Sequence, residues 1–149
     1  MSNEKTIQEI MVTYRRPEVS TMEKISSSNE AEEVLRKVYL PGRIDHKEFF
    51  YIILLTNAGH VLGTSEISSG TTNGTTVNVK EILQLAIRTN ASSVILSHNH
   101  PSGQLKPSSA DIAITKKIEE AGKLVDISVL DHIILTSEAY YSFKDNGQM

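Results

Sequence analysis

The feature that most constrains the fold is an unbroken apolar run in the middle of the chain, from Phe49 to Leu55. A strand with apolar side chains on both sides has to be covered on both faces, and its isoleucine and aromatic residues favour extended backbone. The sequence therefore predicts a buried strand over residues 47–56. The run is far shorter than the roughly 20 apolar residues of a membrane-spanning helix, so we expect no membrane segment.

The segments around this strand predict the rest of a mixed sheet. Asn57-Ala58-Gly59 is a turn signal, which returns the chain as a second hairpin strand over residues 60–69. Apolar stripes at helical spacing predict three helices, over residues 29–40, 78–88 and 108–121. Further strands are expected over residues 93–97, 125–136 and 140–143. Strands that alternate with helices after an initial hairpin indicate an α/β fold, with a mixed β-sheet flanked by helices.

The ends of the predicted helices carry capping signals. Asn29 with Glu32, and Asn78 with Glu81, have the spacing of capping boxes at the first two helix starts. Gly122 is expected to close the third helix, because glycine accepts the left-handed backbone that often follows a last turn.

The chain is predicted to consist of a polar N-terminal tail, residues 1–28, and one domain, residues 29–149. In the tail Ile10, Val12 and Tyr14 alternate with polar residues. Alternation of this kind is typical of a strand, so residues 10–14 are a candidate edge strand that could pair with another chain.

Composition narrows the classes of function. The chain has 149 residues and no cysteine, which excludes cysteine-based zinc ribbons, iron–sulfur clusters and thiol nucleophiles. A net charge of −3 disfavours a nucleic-acid-binding surface, which commonly carries a basic excess. The first residues lack the basic start and apolar stretch of a secretory signal. Together with the absence of cysteine, this predicts a cytoplasmic protein.

The residues that carry chemistry are concentrated between positions 97 and 111. His98 and His100 are separated by one residue, so they project to the same side of an extended chain, and Pro101 favours that extension. Two imidazoles at the end of a buried strand supply two corners of a tetrahedral zinc site. Asp111, in the first turn of the next predicted helix, is placed to supply a third ligand. Three protein ligands with one open position are typical of catalytic zinc sites.

Each of these residues also has a structural interpretation. Ser108 with Asp111 has the spacing of a helix cap, in which backbone N–H groups occupy both side-chain oxygens. The whole arrangement of two histidines, serine and aspartate arises by chance in roughly one such sequence per thousand, which favours the functional interpretation. The two roles of Ser108 are compatible, because its oxygen can accept a hydrogen bond while its proton points at a developing oxyanion.

The pattern H-x-H, seven residues, then S-x-x-D resembles the signature of the JAMM (MPN+) metalloproteases, with its positions filled by His98, His100, Ser108 and Asp111. Residues 98–103 and Asp131-His132-Ile133-Ile134 are similar to the bacterial RadC branch. The resemblance covers about residues 30–145 and implies a JAB/MPN-like, cytidine-deaminase-like fold. It also implies one zinc ion held by the two histidines and the aspartate, with the serine stabilising the tetrahedral intermediate of amide hydrolysis. Deaminases of that architecture need cysteine ligands, which excludes base deamination here.

The resemblance further implies an upstream glutamate that carries a proton from the attacking water to the leaving amine. Glu66 is the preferred candidate, because the resemblance places the glutamate before the Ser-Ser-Gly turn; its alternative is a solvated strand residue. Glu81 is better explained as a capping partner of Asn78. His132 is interpreted as a hydrogen-bonded structural histidine, with a partner that orients a metal ligand as the alternative. Residues 70–74 are expected to form a wall of the substrate cleft.

Three functions follow as hypotheses. The preferred one is a zinc peptidase or isopeptidase with an unknown protein or peptide substrate. An accessory protein of DNA metabolism, as in the RadC type, is disfavoured by the acidic charge and by too few ligands for a two-metal site. A non-catalytic zinc-binding scaffold is disfavoured because every position of the motif is filled. Full-length RadC-type proteins carry an N-terminal helix-hairpin-helix module, and no glycine-containing hairpin precedes the core here, so we expect a stand-alone catalytic core.

Overall fold

Five strands form one mixed sheet in the computed structural model of the chain, which describes residues 1, 3–70 and 76–149. In chain order they are β1 (Phe49–Leu55), β2 (Val61–Ser69), β3 (Ser93–Asn99), β4 (Ser128–Leu135) and β5 (Tyr140–Ser142). Their order across the sheet is β2-β1-β3-β4-β5. The pair β3 and β4 is parallel, and the other neighbouring strands are antiparallel. The predicted α/β fold with a mixed sheet is confirmed.

Three α-helices cover this sheet on both sides: α1 (Ser28–Val38), α2 (Val79–Arg88) and α3 (Ser109–Lys123). A short 3-10 helix at Val19–Thr21 precedes them. One half of the core lies between α1 and the sheet, and the other half lies between the sheet and the pair α2 and α3. Among the described residues, no helix is long and apolar enough to cross a membrane.

The central strands β1 and β3 are buried along their whole length, as the continuous apolar run predicts. Along β1, side chains alternate between the two halves of the core: Tyr51 and Ile53 pack on the α1 side, and Phe50 and Ile52 pack on the α2 and α3 side. This alternation follows from the period of two in extended chains. It also decides which side of the sheet each polar side chain near the strand ends will face.

The start of α1 differs from the predicted capping box. Ser27 is the N-cap and accepts a hydrogen bond from the backbone N–H of Glu30, whose carboxylate in turn accepts from the N–H of Ser26 at 2.6 Å. Asn29 and Glu32 lie inside the helix, so the capping box predicted for them is wrong. The serines ahead of the helix compete successfully, because serine is at least as good an N-cap as asparagine. At α2 the predicted start is confirmed, since the Asn78 side chain accepts from the N–H of Glu81.

Residues 10–14 form no strand, so the candidate edge strand is not formed. The chain pairs with the sheet later, through a bridge between Lys24 and His60 beside the start of β2. The Tyr14 hydroxyl instead donates to the carbonyl oxygen of Leu62 at 3.1 Å. The cleft wall expected at residues 70–74 lies outside the described residues, apart from Gly70.

Gly122 does not end α3, which continues to Lys123. The Ile127 backbone packs directly against the α-carbon of Gly122, and the Ile127 N–H donates to the Gly122 carbonyl oxygen at 2.9 Å. A Cβ at position 122 would meet the Ile127 carbonyl oxygen well inside van der Waals distance. The glycine is therefore required by the close approach of the chain that leads into β4, and the prediction of a terminating glycine is wrong.

We predict that Gly122→Ala destabilises the protein by about 1–3 kcal/mol, because the added methyl group overpacks a backbone contact. Helix propensity alone predicts the opposite sign, since alanine is favoured over glycine by about 1 kcal/mol in a helix. Urea unfolding of parent and variant measures the difference. Gly63→Ala is the matched control, because a Cβ there has no neighbour within 4 Å, and it should change stability by less than about 0.5 kcal/mol. A Gly122→Ala variant more stable than the parent contradicts this account.

Candidate metal centre

The site lies at the end of β3, where the strand leaves the sheet. His98 is part of β3 and lies opposite Phe50 of β1, so its ring faces the α2 and α3 side. His100 follows just beyond the strand, where its backbone N–H still donates to the carbonyl oxygen of Leu135 in β4 at 2.9 Å. This bond keeps the chain extended past the strand end. The predicted projection of the two histidines to one side of the sheet is therefore observed.

The first turn of α3 brings Asp111 to the two histidines. Ser108 caps the helix: its hydroxyl oxygen accepts from the N–H of Asp111 at 3.0 Å, and its own N–H donates to Asp111 Oδ2 at 2.8 Å. The helix-cap interpretation of these two residues is thus correct. The cap also fixes the direction of the carboxylate, which points from the helix terminus towards the histidine rings.

The three side chains converge on one point. The Nε2 atoms of His98 and His100 are 3.0 Å apart, and each lies 3.3 Å from Asp111 Oδ2. Ligand atoms of a tetrahedral zinc ion, each about 2.0–2.1 Å from the metal, lie about 3.3–3.4 Å from one another. The observed triangle is close to one face of such a tetrahedron. His98, His100 and Asp111 can therefore hold a metal ion.

The hydrogen bonds of the triad also indicate a metal site, independently of the distances between the three ligand atoms. His100 Nδ1 lies 2.7 Å from the carbonyl oxygen of Gln104, which can only accept. Nδ1 therefore carries the proton, and in the neutral ring Nε2 presents a lone pair. The Asp111 carboxylate is also an acceptor. Lone pairs that converge repel one another unless a cation or a proton lies between them, and imidazole nitrogen with carboxylate oxygen is a donor set that zinc accepts.

The electrostatics of the group favour positive charge. The Asp111 carboxylate, which can accept a hydrogen bond from the protonated ring, raises the pKa of His100 above its ordinary value, against the effect of burial. Burial alone would raise the pKa of Asp111, but the His100 and His98 rings beside it outweigh burial and hold the pKa of that carboxyl well below its usual range. Asp111 is therefore ionised in the folded protein, and a metal cation has the sign of charge that the site stabilises.

Little of the group is open to water. The side chains of His98, His100 and Asp111 are 2%, 11% and 16% exposed. The remaining exposure belongs mainly to His100 and Asp111, and three donors would leave the fourth position of a tetrahedral ion open. An open position is the property that distinguishes a catalytic zinc site from a closed structural one.

The structure does not bring Glu66 to this group. Glu66 lies in β2 opposite Tyr51, which packs on the α1 side of the sheet, whereas His98 faces the other side. Its carboxylate forms an ion pair with Arg43 and accepts from the Tyr51 hydroxyl at 3.2 Å. In this position Glu66 matches its alternative, a partly solvated strand residue, and its role as proton carrier stays a prediction that this geometry does not support.

Glu48 lies on the side of the triad instead. It stands two residues before Phe50, so the period of two places it on the same face as Phe50 and His98. Burial raises the pKa of the Glu48 carboxyl, opposed by the charges of His98 and His100 and reinforced by that of Asp111. Sequence analysis missed this residue, because the signal that finds it is the pairing register of β1 with β3, which no local pattern reveals.

His132, named from the sequence, lies beside the triad. It lies in β4, is completely buried, and its Nε2 is 2.7 Å from Nδ1 of His98. The interpretation of His132 as a hydrogen-bonded buried histidine is therefore correct, and one of its bonds reaches a residue of the triad. Burial lowers the pKa of His132 well below its ordinary value, so its ring is neutral.

Comparisons with known proteins agree with this geometry. The family model described as RadC-like JAB domain matches residues 25–148. The chain is 40% identical over 133 residues to a UPF0758 protein of Flavobacterium johnsoniae, an alignment that covers 89% of this chain and 57% of that protein. It is 47% identical over 103 residues to a UPF0758 protein of Alkaliphilus metalliredigens, covering 69% of this chain and 44% of that one. The chain thus spans about half the length of the curated relatives it matches.

We predict that the purified chain binds about one zinc ion, because the donor set and spacing of the triad suit a single tetrahedral site. His100→Ala should lose most of this metal, since it removes one of three ligands. Elemental analysis after incubation with zinc and removal of the excess measures the ratio. His46→Ala is the matched control, because His46 is exposed and outside the triad; it should retain the metal. A parent chain without bound metal after that treatment contradicts the site.

Proposed function

Because the chain belongs to the RadC-like JAB domain family, we propose that it is a zinc-dependent hydrolase that cleaves an amide bond in a peptide or protein substrate. The observation that carries the proposal is the convergence of three acceptor side chains at the end of β3, with the carboxyl of Glu48 on the same face of the sheet. A metal site combined with a nearby proton carrier supplies what metal-assisted hydrolysis of an amide by water needs, a Lewis acid and a general base.

His98, His100 and Asp111 would hold the zinc ion. When bound, zinc supplies Lewis-acid chemistry, which eases deprotonation of water at neutral pH and polarises a carbonyl group. The protein's own contribution is orientation. β3 and the bond of His100 to Leu135 fix the two rings, and the helix cap at Ser108 fixes the carboxylate.

Glu48 takes the part of the proton carrier in this proposal. Its carboxylate accepts a proton from the attacking water and returns it to the nitrogen of the leaving amine. Burial raises its pKa towards neutral pH, where a group is effective both as base and as acid. Glu66, held by Arg43 and Tyr51 on the other face, has no part in this proposal.

In this proposal Ser108 donates a hydrogen bond to the oxyanion. In the helix cap its oxygen accepts from the Asp111 N–H, which leaves the hydroxyl proton available for another acceptor. Ser108 is exposed, so a substrate can reach it. A hydroxyl fixed in this way can donate to the negative oxygen that develops when water adds to a carbonyl.

A substrate with an amide bond is better supported than a phosphodiester. Phosphodiester hydrolysis by metal enzymes commonly uses two ions about 3.5–4 Å apart. Among the residues that the structure describes, the triad is the one group of three or more metal-ligating side chains, and it supplies the ligands of one ion. The net charge of −3 also gives no electrostatic attraction to a phosphate backbone.

We predict that Glu48→Gln keeps zinc and lowers kcat/KM by about 10²–10⁴-fold, the usual effect of losing a general acid–base group. The measurement is hydrolysis of a substrate selected from a library of fluorogenic peptides and isopeptide-linked conjugates with the zinc-loaded parent. Glu66→Gln is the matched control, with the same chemical change on the other face of the sheet, and should remain within a few-fold of the parent. If Glu66→Gln loses activity and Glu48→Gln keeps it, Glu66 is the proton carrier. A zinc-loaded parent that hydrolyses nothing in the library overturns the proposed function.

We predict that Ser108→Gly lowers kcat by about 10²–10³-fold, as loss of one oxyanion donor does. Glycine replaces serine at an N-cap at a cost of only a few tenths of a kcal/mol, so α3 should stay folded. Ser108→Thr is the companion variant, because it keeps both the cap and the hydroxyl, and it should retain activity. Turnover with the selected substrate and urea unfolding separate the two effects. Full activity in the glycine variant would show that Ser108 serves the helix alone.

A further inference from the structure

His132 joins three elements of the protein through the two nitrogens of its ring. It projects from β4, and its Nε2 lies 2.7 Å from Nδ1 of His98 in β3. Its Nδ1 lies 2.5 Å from the hydroxyl oxygen of Thr115 in α3. The ring is stacked on Phe143 with a centroid distance of 4.7 Å and makes an edge contact with Phe50 at 5.6 Å. Both polar atoms of a completely buried ring are thus used.

The donor and the acceptor of each of these hydrogen bonds can be deduced by starting from Thr115. The backbone carbonyl oxygen of Asp111 can only accept, and the Thr115 hydroxyl lies 2.7 Å from it, so the hydroxyl proton points there. The Thr115 oxygen has no second proton and therefore accepts from Nδ1 of His132. A neutral imidazole carries one N–H, so Nε2 of His132 is an acceptor. His98 must then donate through its Nδ1.

With these donors and acceptors, the His98 nitrogen that faces the metal-binding position carries a lone pair and no proton. With the proton of His98 on Nδ1, its Nε2 is free and directed at His100 and Asp111. Imidazole binds a metal through the nitrogen that lacks a proton, and the partner of the other nitrogen decides which nitrogen that is. The chain of hydrogen bonds runs from the backbone carbonyl of Asp111 through Thr115 and His132 to His98, whose Nε2 lies 3.3 Å from the carboxylate of the same aspartate.

We propose that His132 is a positioning residue, which together with Thr115 holds His98 in the tautomer that presents Nε2 to the metal ion. The proposal rests on the metal site of the proposed function and deepens it. His132 touches neither the metal position nor a substrate. Its effect passes through His98, and a role limited to filling space between Phe50 and Phe143 would require only the shape of the ring.

Two substitutions at position 132 separate hydrogen bonding from packing. In His132→Gln the amide oxygen can accept from His98 Nδ1 while the amide N–H₂ donates to Thr115, so the zinc affinity should stay within a few-fold of the parent. His132→Leu fills the space without an acceptor and should weaken zinc binding by about 10–100-fold, the usual effect of losing such a partner. Competition with a chromophoric chelator measures affinity, and circular dichroism with thermal unfolding of the metal-free proteins checks that both variants fold.

If His132→Leu does not fold, a second pair of variants, at position 115, tests the same proposal. Thr115→Val keeps the shape of the side chain and removes the hydroxyl that orients His132, so it should weaken zinc binding. Thr115→Ser keeps the hydroxyl and should bind zinc as the parent does. A folded His132→Leu protein or a folded Thr115→Val protein with unchanged zinc affinity would overturn the proposal.

The tautomer can also be observed without metal. Proton–nitrogen correlation spectra of the histidine rings, recorded on the metal-free parent at mildly alkaline pH, should show His98 protonated at Nδ1 and bare at Nε2. In His132→Leu the signal should change to that of a mixture of tautomers. A parent with His98 protonated at Nε2 refutes the proposal while leaving the metal site standing. A parent that binds no zinc removes the proposed function as well, so the two failures are distinguishable.

Discussion

The antiparallel register of β1 and β3 determines which side chains lie together on each face of the sheet. Phe50 lies opposite His98, so every second residue of both strands faces α2 and α3, and the residues between them face α1. A shift of one residue would turn each side chain to the other face of the sheet. The same pairing places Glu48 beside the triad and leaves Glu66 with Arg43 on the far side. The chemistry of the site is therefore a consequence of strand pairing, and the triad alone does not determine it.

Asp111 connects the stability of α3 to the geometry of the site. Its carboxylate accepts the N–H of Ser108, which satisfies one of the free donors at the helix start, and the same oxygen lies within 3.3 Å of both histidine rings. Its backbone carbonyl accepts the hydroxyl of Thr115 one turn later. Because one residue serves the cap, the ligand set and the bond network, the helix cannot move relative to β3 without disturbing all three.

Much of this structure follows from local patterns in the sequence. The continuous apolar runs predict the buried strands, and the two histidines, the serine and the aspartate are brought together as their spacing predicts. These predictions succeed because they depend on the direction of side chains in one strand and one helix turn. Where neighbouring candidates compete, as at the start of α1, local patterns do not choose between Ser27 and Asn29.

The features that sequence analysis missed, misassigned or left open all depend on contacts between distant segments. Glu48 requires the register of two strands, and Gly122 requires the approach of the Ile127 backbone. The bond of His132 to His98 joins residues 34 positions apart. Spacing along the chain carries no information on such contacts, so the resemblance led to Glu66, and Glu48 on the face of the triad was not considered.

Asp131 and His132 are adjacent, but their side chains lie on opposite faces of the sheet and have different partners. The Asp131 carboxylate accepts from the Ser142 hydroxyl at 2.6 Å and from the N–H of Lys144 at 3.1 Å, which ties the last strand and the turn after it to β4. His132 points to the opposite face and reaches His98. Burying such polar groups is costly unless their partners are in place, and no described buried side-chain polar atom lacks one. The backbone of two adjacent residues thus joins the contacts of the last strand to the surroundings of His98.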